Sequence, residues 1–231
     1  MISNKQVLQA KITYSFQLIF PLHHKNMIPE YWTQATQELA VCDQVMQQLI
    51  QQFQGVTLTS RGSAFTTLAR SIVGQQISVK AAESVWQKVI SAIPVFEPHT
   101  VAAKEPDLLR TCGLSARKII YLQDLSRHFM EGNLNEISWI SLDDETIITQ
   151  LSKIKGIGRW TAEMFLIFHL QRPDVLPLDD IGLQRAISLH YFDKQSVDKK
   201  TMIQLAQSWQ PWRSVATWYL WRSLDPLPVE Y

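Results

Sequence analysis

The sequence predicts an all-α fold of six or more short helices joined by compact turns, and three observations predict it. From Tyr31 onward, apolar residues recur every three or four positions, the period of a helix with one buried face. Good N-cap residues, Asp43, Ser115 and Ser141 among them, stand at the heads of these stripes. Strand-like alternation appears only weakly, in the first 24 residues. At 231 residues the chain is long for one ordinary domain and short for two, so one compact unit or two interleaved lobes is expected.

Taken in order, residues 1–26 read as an extension with no catalytic role, because Met27 opens the more regular "MIPEYWTQATQELAVCDQVMQQLIQQF". Residues 27–231 then form the working domain. Val45, Leu49, Ile50 and Phe53 follow Asp43 as one stripe, and Phe65, Leu68, Ile72 and Val73 make the next. "VGQQIS" falls at a helix-to-helix turn. Leu122, Leu125 and Phe129 follow Ser115, while Ile147, Ile148, Leu151 and Ile154 follow "SLDD", where Ser141 and Asp144 have the spacing of a capping box. That helix, from about Ser141 to Lys153, ends at "IKGIG", and another begins near Arg159. "VLPLDD" heads a further helix, and "WQPWRSVATWYLW" supplies the last.

Composition sets limits on function. The net charge is +1, from 22 basic and 21 acidic residues, so any site for a polyanion must be local. Cys42 and Cys112 are the only cysteines, which excludes a disulfide framework, a Cys-x-x-Cys redox pair and a four-thiolate cluster, and fits a reducing cytosol. No apolar run approaches 20 residues and the first 26 lack a tripartite secretory pattern, so no membrane is expected. Eight tryptophans exceed what packing needs and hint at a binding cleft.

Two local patterns carry chemistry. In "LSKIKGIGRWTAEMF", Gly156 and Gly158 can adopt positive φ and leave backbone N–H groups uncovered. The following helix adds its own unpaired N-terminal donors and positive dipole end. An anion fits there, with Lys153, Lys155 and Arg159 as local positive charge; the plainer alternative is a sharp turn between helices. In "VLPLDDIGLQRA", Asp179 or Asp180 is either a simple N-cap or a carboxylate held ionised at the head of a helix.

Order and spacing of these segments, with "ARSIVGQQIS" at 69–78 and "GLSARKIIYL" at 113–122, resemble the helix-hairpin-helix DNA glycosylase superfamily named for that hairpin and a Gly/Pro-rich loop with a catalytic Asp. The resemblance runs from about Tyr31 to Asp225, nearest the 3-methyladenine DNA glycosylase II branch without its N-terminal sheet domain. It implies two interleaved helical lobes with an active-site cleft between them, and monofunctional hydrolysis of the N-glycosidic bond of alkylated purines in base excision repair. The partner implied is double-stranded DNA with damaged bases, met by a monomer in the cytosol or nucleoid. No metal or organic cofactor is required.

By the same resemblance Asp180 is the catalytic carboxylate, with Asp179 the alternative. Trp160 and Trp221 match aromatic base-pocket positions, with Met164 and Trp218 beside them, Met164 departing from an aromatic often found there. Gln75 and Gln76 face the minor groove, Gln76 as the wedge, and Lys155, Gly156, Gly158 and Arg159 contact phosphate. Arg117, Lys118 and Arg213 are further candidate backbone contacts. Trp160 also occupies the position where bifunctional relatives carry a Schiff-base lysine, so imine chemistry and strand scission are not expected. Two competing readings are a non-catalytic helix-hairpin-helix DNA-binding module and a glycosylase for oxidised purines or mismatched bases.

Overall fold

The computed structural model describes residues 28–60 and 62–224 and is wholly helical among them. The weak alternation of the first 24 residues and the extension 1–26 lie outside the described residues. Thirteen helices follow in order: Trp32–Cys42 (α1), Gln44–Gln52 (α2), Ala64–Gly74 (α3), Val79–Ala92 (α4), Pro98–Ala102 (α5), Pro106–Thr111 (α6), Ala116–Met130 (α7), Glu136–Trp139 (α8), Asp144–Leu151 (α9), Arg159–Phe168 (α10), Ile181–Tyr191 (α11), Lys199–Leu205 (α12) and Arg213–Leu224 (α13). None of them is long and apolar enough to cross a membrane.

The chain builds two lobes and crosses between them twice. α3 packs on α4 and α7, and α7 also receives α5 and α6, which makes a middle lobe. α9 and α10 pair as a helical hairpin, with α10 lying on α3. α1 and α2 pack on each other and on α13, which also takes α11, so the second lobe is formed by elements from both ends of the described chain. Ile72, Leu122, Leu125, Leu151, Leu166 and Leu220 are fully buried, and one apolar core runs through both lobes.

Caps decide where the helices begin. Asp43 accepts the Met46 N–H at 3.0 Å and Ser115 that of Lys118 at 3.3 Å, so each fixes the first turn behind it, as the sequence predicts. Asp43 does more: its other oxygen accepts the Tyr191 hydroxyl at 2.8 Å and the Trp209 indole N–H at 2.9 Å, joining α2 to the later part of the chain. The expected cap at Ser141 is corrected. Its hydroxyl donates back to the Ser138 carbonyl at 3.0 Å, and Asp143 caps α9 instead through the Thr146 N–H at 2.8 Å.

The tryptophans divide between packing and site. Trp32, Trp86, Trp139, Trp209 and Trp218 are at most 5% exposed, so most of the eight belong to the core and not to a cleft. Trp212 donates to Glu38, which leaves Trp160 and Trp221 as the pair with a common polar partner.

Candidate active site

The hairpin between α9 and α10 is held from three sides. Gly156 has φ +83°, a left-handed conformation that favours glycine, and a Cβ there would overlap the ring of Tyr121. Its carbonyl accepts the Gln75 side-chain amide at 2.8 Å, tying the hairpin to the turn between α3 and α4. The Lys155 N–H donates to the buried Asp124 carboxylate at 2.9 Å. Burial works against charge on Asp124, yet the Lys155 amide and Arg127 outweigh it and hold its carboxyl below the ordinary range.

Gly158 departs from the expectation of positive φ. It is the N-cap of α10 with φ −96° and ψ 176°, extended backbone open to any residue, and a Cβ there would meet nothing within 4 Å. The two glycines therefore do different jobs: one permits the turn, the other leaves the mouth of α10 uncovered.

The basic residues are more occupied than the sequence suggests. Arg159 is bound by both oxygens of Glu145 and donates to Glu163 at 3.1 Å, so its charge is largely answered within the protein. Burial pushes the Glu163 carboxyl up to about 7 against the pull of Arg159. Lys118 donates to the Val73 carbonyl at 2.7 Å, and Arg213 chelates Asp174 at 2.6 and 2.8 Å, so each is tied to the protein through part of its donors. Arg117, Lys153 and Lys155 remain exposed.

A cavity of about 560 Å³ opens beside the hairpin. Gln75, Gln76, Gly156, Trp160 and Met164 all line it, so the structure brings together five of the residues singled out from sequence. Gln76 is exposed at φ 59°, between Gly74 and the exposed Ile77 and Val79. Met164 is 2% exposed and Trp160 37%, so one forms the floor and the other a wall.

Asp180 accepts a hydrogen bond from that wall and does not itself line the cavity. It caps α11 by accepting the Leu183 N–H at 2.6 Å on Oδ1, which also accepts the Trp221 indole N–H at 2.7 Å. Its Oδ2 accepts the Trp160 indole N–H at 2.9 Å. The loop before it is pinned where the Ser214 hydroxyl accepts the Val175 N–H at 2.9 Å and Arg213 grips Asp174. Asp179 points elsewhere, exposed and ion-paired with Lys199. Trp160 from one lobe and Trp221 from the other thus converge on one carboxylate that is itself only 9% exposed.

Trp218 is placed differently from the expectation of a base-pocket position. It stands edge-on to Trp32 at 5.1 Å and to Tyr219 at 4.9 Å, with the Arg222 guanidinium over its ring at 4.9 Å. The reason is position along the helix: three residues before Trp221 it lies one turn nearer α1. Trp221 stacks on Phe168 at 5.7 Å and 12°. Sequence reasoning also missed Tyr121 and Asp124, which lie one turn apart on α7 and both meet the hairpin, and Gly182, a glycine inside a helix whose presence is itself a signal.

A glycine-turned helical hairpin beside a cavity, and a carboxylate capping the next long helix, define a helix-hairpin-helix protein with an aspartate loop. The HhH-GPD superfamily of base excision DNA repair proteins matches residues 69–211, and the chain belongs to it. It is 32% identical to the YfjP protein of Bacillus subtilis (strain 168) over 185 residues, 77% of this chain and 64% of that one, so it spans a little under two thirds of that relative. A DNA-3-methyladenine glycosidase from Bacillus halodurans superposes with a TM-score of 0.76 at 34% identity, covering 83% of this chain and 89% of that one. The 3-methyladenine DNA glycosylase Mag1 of Schizosaccharomyces pombe, solved with abasic DNA, gives a TM-score of 0.74 at 27% identity, covering 86% and 99%.

Proposed function

We propose that the chain is a monofunctional DNA glycosylase that hydrolyses the N-glycosidic bond of alkylated purines, acting as a monomer on double-stranded DNA. The observation that carries this reading is Asp180: a carboxylate at a helix head, held by two indoles, one of which walls a cavity large enough for a purine. The names and titles of the relatives point the same way. The exposed Gly158 end of α10, with Lys155 nearby, would take a phosphate, and Gln76, raised on its left-handed turn, would enter the gap left by the extruded nucleotide. The base would lie against Trp160 over Met164.

The chemistry asks little of the protein. As the C–N bond breaks, the electron pair leaves with the base and positive charge spreads over the deoxyribose ring. The Asp180 carboxylate stabilises that charge, and water adds to the sugar carbon and releases a proton. A methylated purine already carries positive charge and leaves readily, so extrusion and charge stabilisation suffice.

The test is excision from duplexes carrying 3-methyladenine, 7-methylguanine, hypoxanthine or ethenoadenine, with strands broken by alkali after the reaction. Strand cleavage only after alkali, with at least one alkylated purine as substrate, is the expected result. Borohydride present during turnover should trap no covalent adduct, because the position two residues beyond Gly158 is Trp160, which has no amine. The amine beside the loop is Lys199, held by Asp179. A trapped species that disappears in Lys199→Ala would make the enzyme a lyase and overturn the monofunctional assignment.

A further inference from the structure

Three N–H donors surround one carboxylate at the head of α11, and a glycine makes room for one of them. A Cβ built on Gly182 would lie 3.0 Å from Asp180 Oδ1, 3.2 Å from Trp221 Cδ1 and 3.3 Å from Trp221 Nε1. Those separations are tighter than side chains ordinarily tolerate, so an alanine there would displace the carboxylate or the indole. Gly182 sits in the first turn of α11, where alanine is otherwise the better helix former by about 1 kcal/mol. Local propensity and the close approach therefore pull in opposite directions, and the close approach has prevailed.

We propose that Trp160 and Trp221 are positioning residues for Asp180, acting through their indole N–H groups, and that Gly182 keeps the Trp221 donor within reach. The inference rests on the reading of Asp180 as the group that faces the sugar. A carboxylate on a single Cβ turns freely about its last torsion, which has broad minima. Two indole donors, one on each oxygen, together with the Leu183 N–H, fix its plane. An indole N–H donates a hydrogen bond without titrating, so it cannot hand its proton to the carboxylate as an imidazolium could. Charge-assisted bonds of this kind are short and strong, and they occupy three of the carboxylate's roughly four lone-pair sites. The arrangement orients the carboxylate and crowds its oxygens, which suits stabilisation of a cationic sugar over covalent capture of it.

Phenylalanine at 160 or 221 keeps an aromatic ring and removes only the donor end. The measurements are single-turnover excision of hypoxanthine, affinity for a duplex with a tetrahydrofuran abasic analogue, and thermal melting. Trp160→Phe and Trp221→Phe should each slow excision about tenfold or more with affinity unchanged within twofold. Gly182→Ala, which retains both indoles and the carboxylate but forces Asp180 and Trp221 apart, should slow excision several-fold without lowering the melting temperature. Both phenylalanine variants excising at the wild-type rate would leave the rings no part beyond a surface for the base and overturn the inference. Asp180→Asn inactive beside fully active phenylalanine variants overturns the inference alone, whereas a wild-type protein that excises no lesion overturns the glycosylase reading with it.

Discussion

Asp180→Asn is expected to leave the protein folded and bound to damaged duplex while single-turnover excision falls by about a hundredfold or more, most of all for neutral hypoxanthine. Asparagine is as good an N-cap as aspartate, and its oxygen can still accept from Leu183 N–H and Trp221 Nε1. Its amide group then faces the Trp160 indole, donor against donor, where Oδ2 now accepts at 2.9 Å. Losing that bond costs about 1–2 kcal/mol, which lowers the melting temperature by only a few degrees in a chain of this size. The expected rate loss has a different origin: the negative charge proposed to face the sugar is gone. Asp179→Asn removes an exposed partner of Lys199 and should be mild by every measure. Wild-type excision of hypoxanthine by Asp180→Asn would remove this carboxylate from the reaction.

Gly156→Ala is expected to be the most damaging of the hairpin substitutions. The left-handed backbone costs a non-glycine residue about 1–2 kcal/mol, and overlap with the Tyr121 ring adds about 1–3 kcal/mol. Melting should fall by roughly 5–15 °C. Because the turn must move, the Gln75 tie to its carbonyl and the Asp124 bond to Lys155 N–H loosen together, and affinity for damaged and undamaged duplex falls with them. Tyr121→Ala in the same chain should recover part of the stability by removing the overlap. Gly158→Ala separates the two effects. Its backbone tolerates alanine and its Cβ enters open space, so melting stays at the wild-type value while DNA binding weakens equally on both duplexes. Unchanged melting in Gly156→Ala contradicts the packing described for Tyr121, and unchanged binding by Gly158→Ala across a salt titration takes the hairpin out of the interface.

What could be read in advance was local. The caps at Asp43, Ser115 and Asp180 follow from side chains that reach only three residues ahead, and the apolar stripes behind them need nothing from the rest of the chain. The Ser141 cap failed because a neighbour competed: the Ser138 carbonyl claims its hydroxyl, and Asp143 offers a stronger acceptor two residues on. Cations were the least legible. Arg213 meets Asp174 across 39 residues and Arg159 meets Glu145 across 14, separations at which spacing says nothing about pairing. Trp218 and Trp221 share a helix and look alike in sequence, yet only one reaches Asp180; the difference is set by the placement of α1 against the start of that turn. The two hairpin glycines could be seen to matter, but which needs the left-handed region depends on Tyr121, 35 residues earlier.

The bonds that Asp43 accepts join it to Tyr191 and Trp209, which follow by 148 and 166 residues. On a ribosome adding about 5–20 residues per second, α1 and α2 therefore emerge roughly eight to thirty seconds before the last of their partners has been made. For that interval Trp32, Leu39 and Met46, at most 5% exposed in the finished fold, have no α13 to cover them. The middle lobe, encoded without interruption, can close as it appears, so the nascent protein holds its hairpin before it holds its aspartate. α1 and α2 wait longest for their cover, and the carboxylate acquires its second indole only when translation has delivered α13.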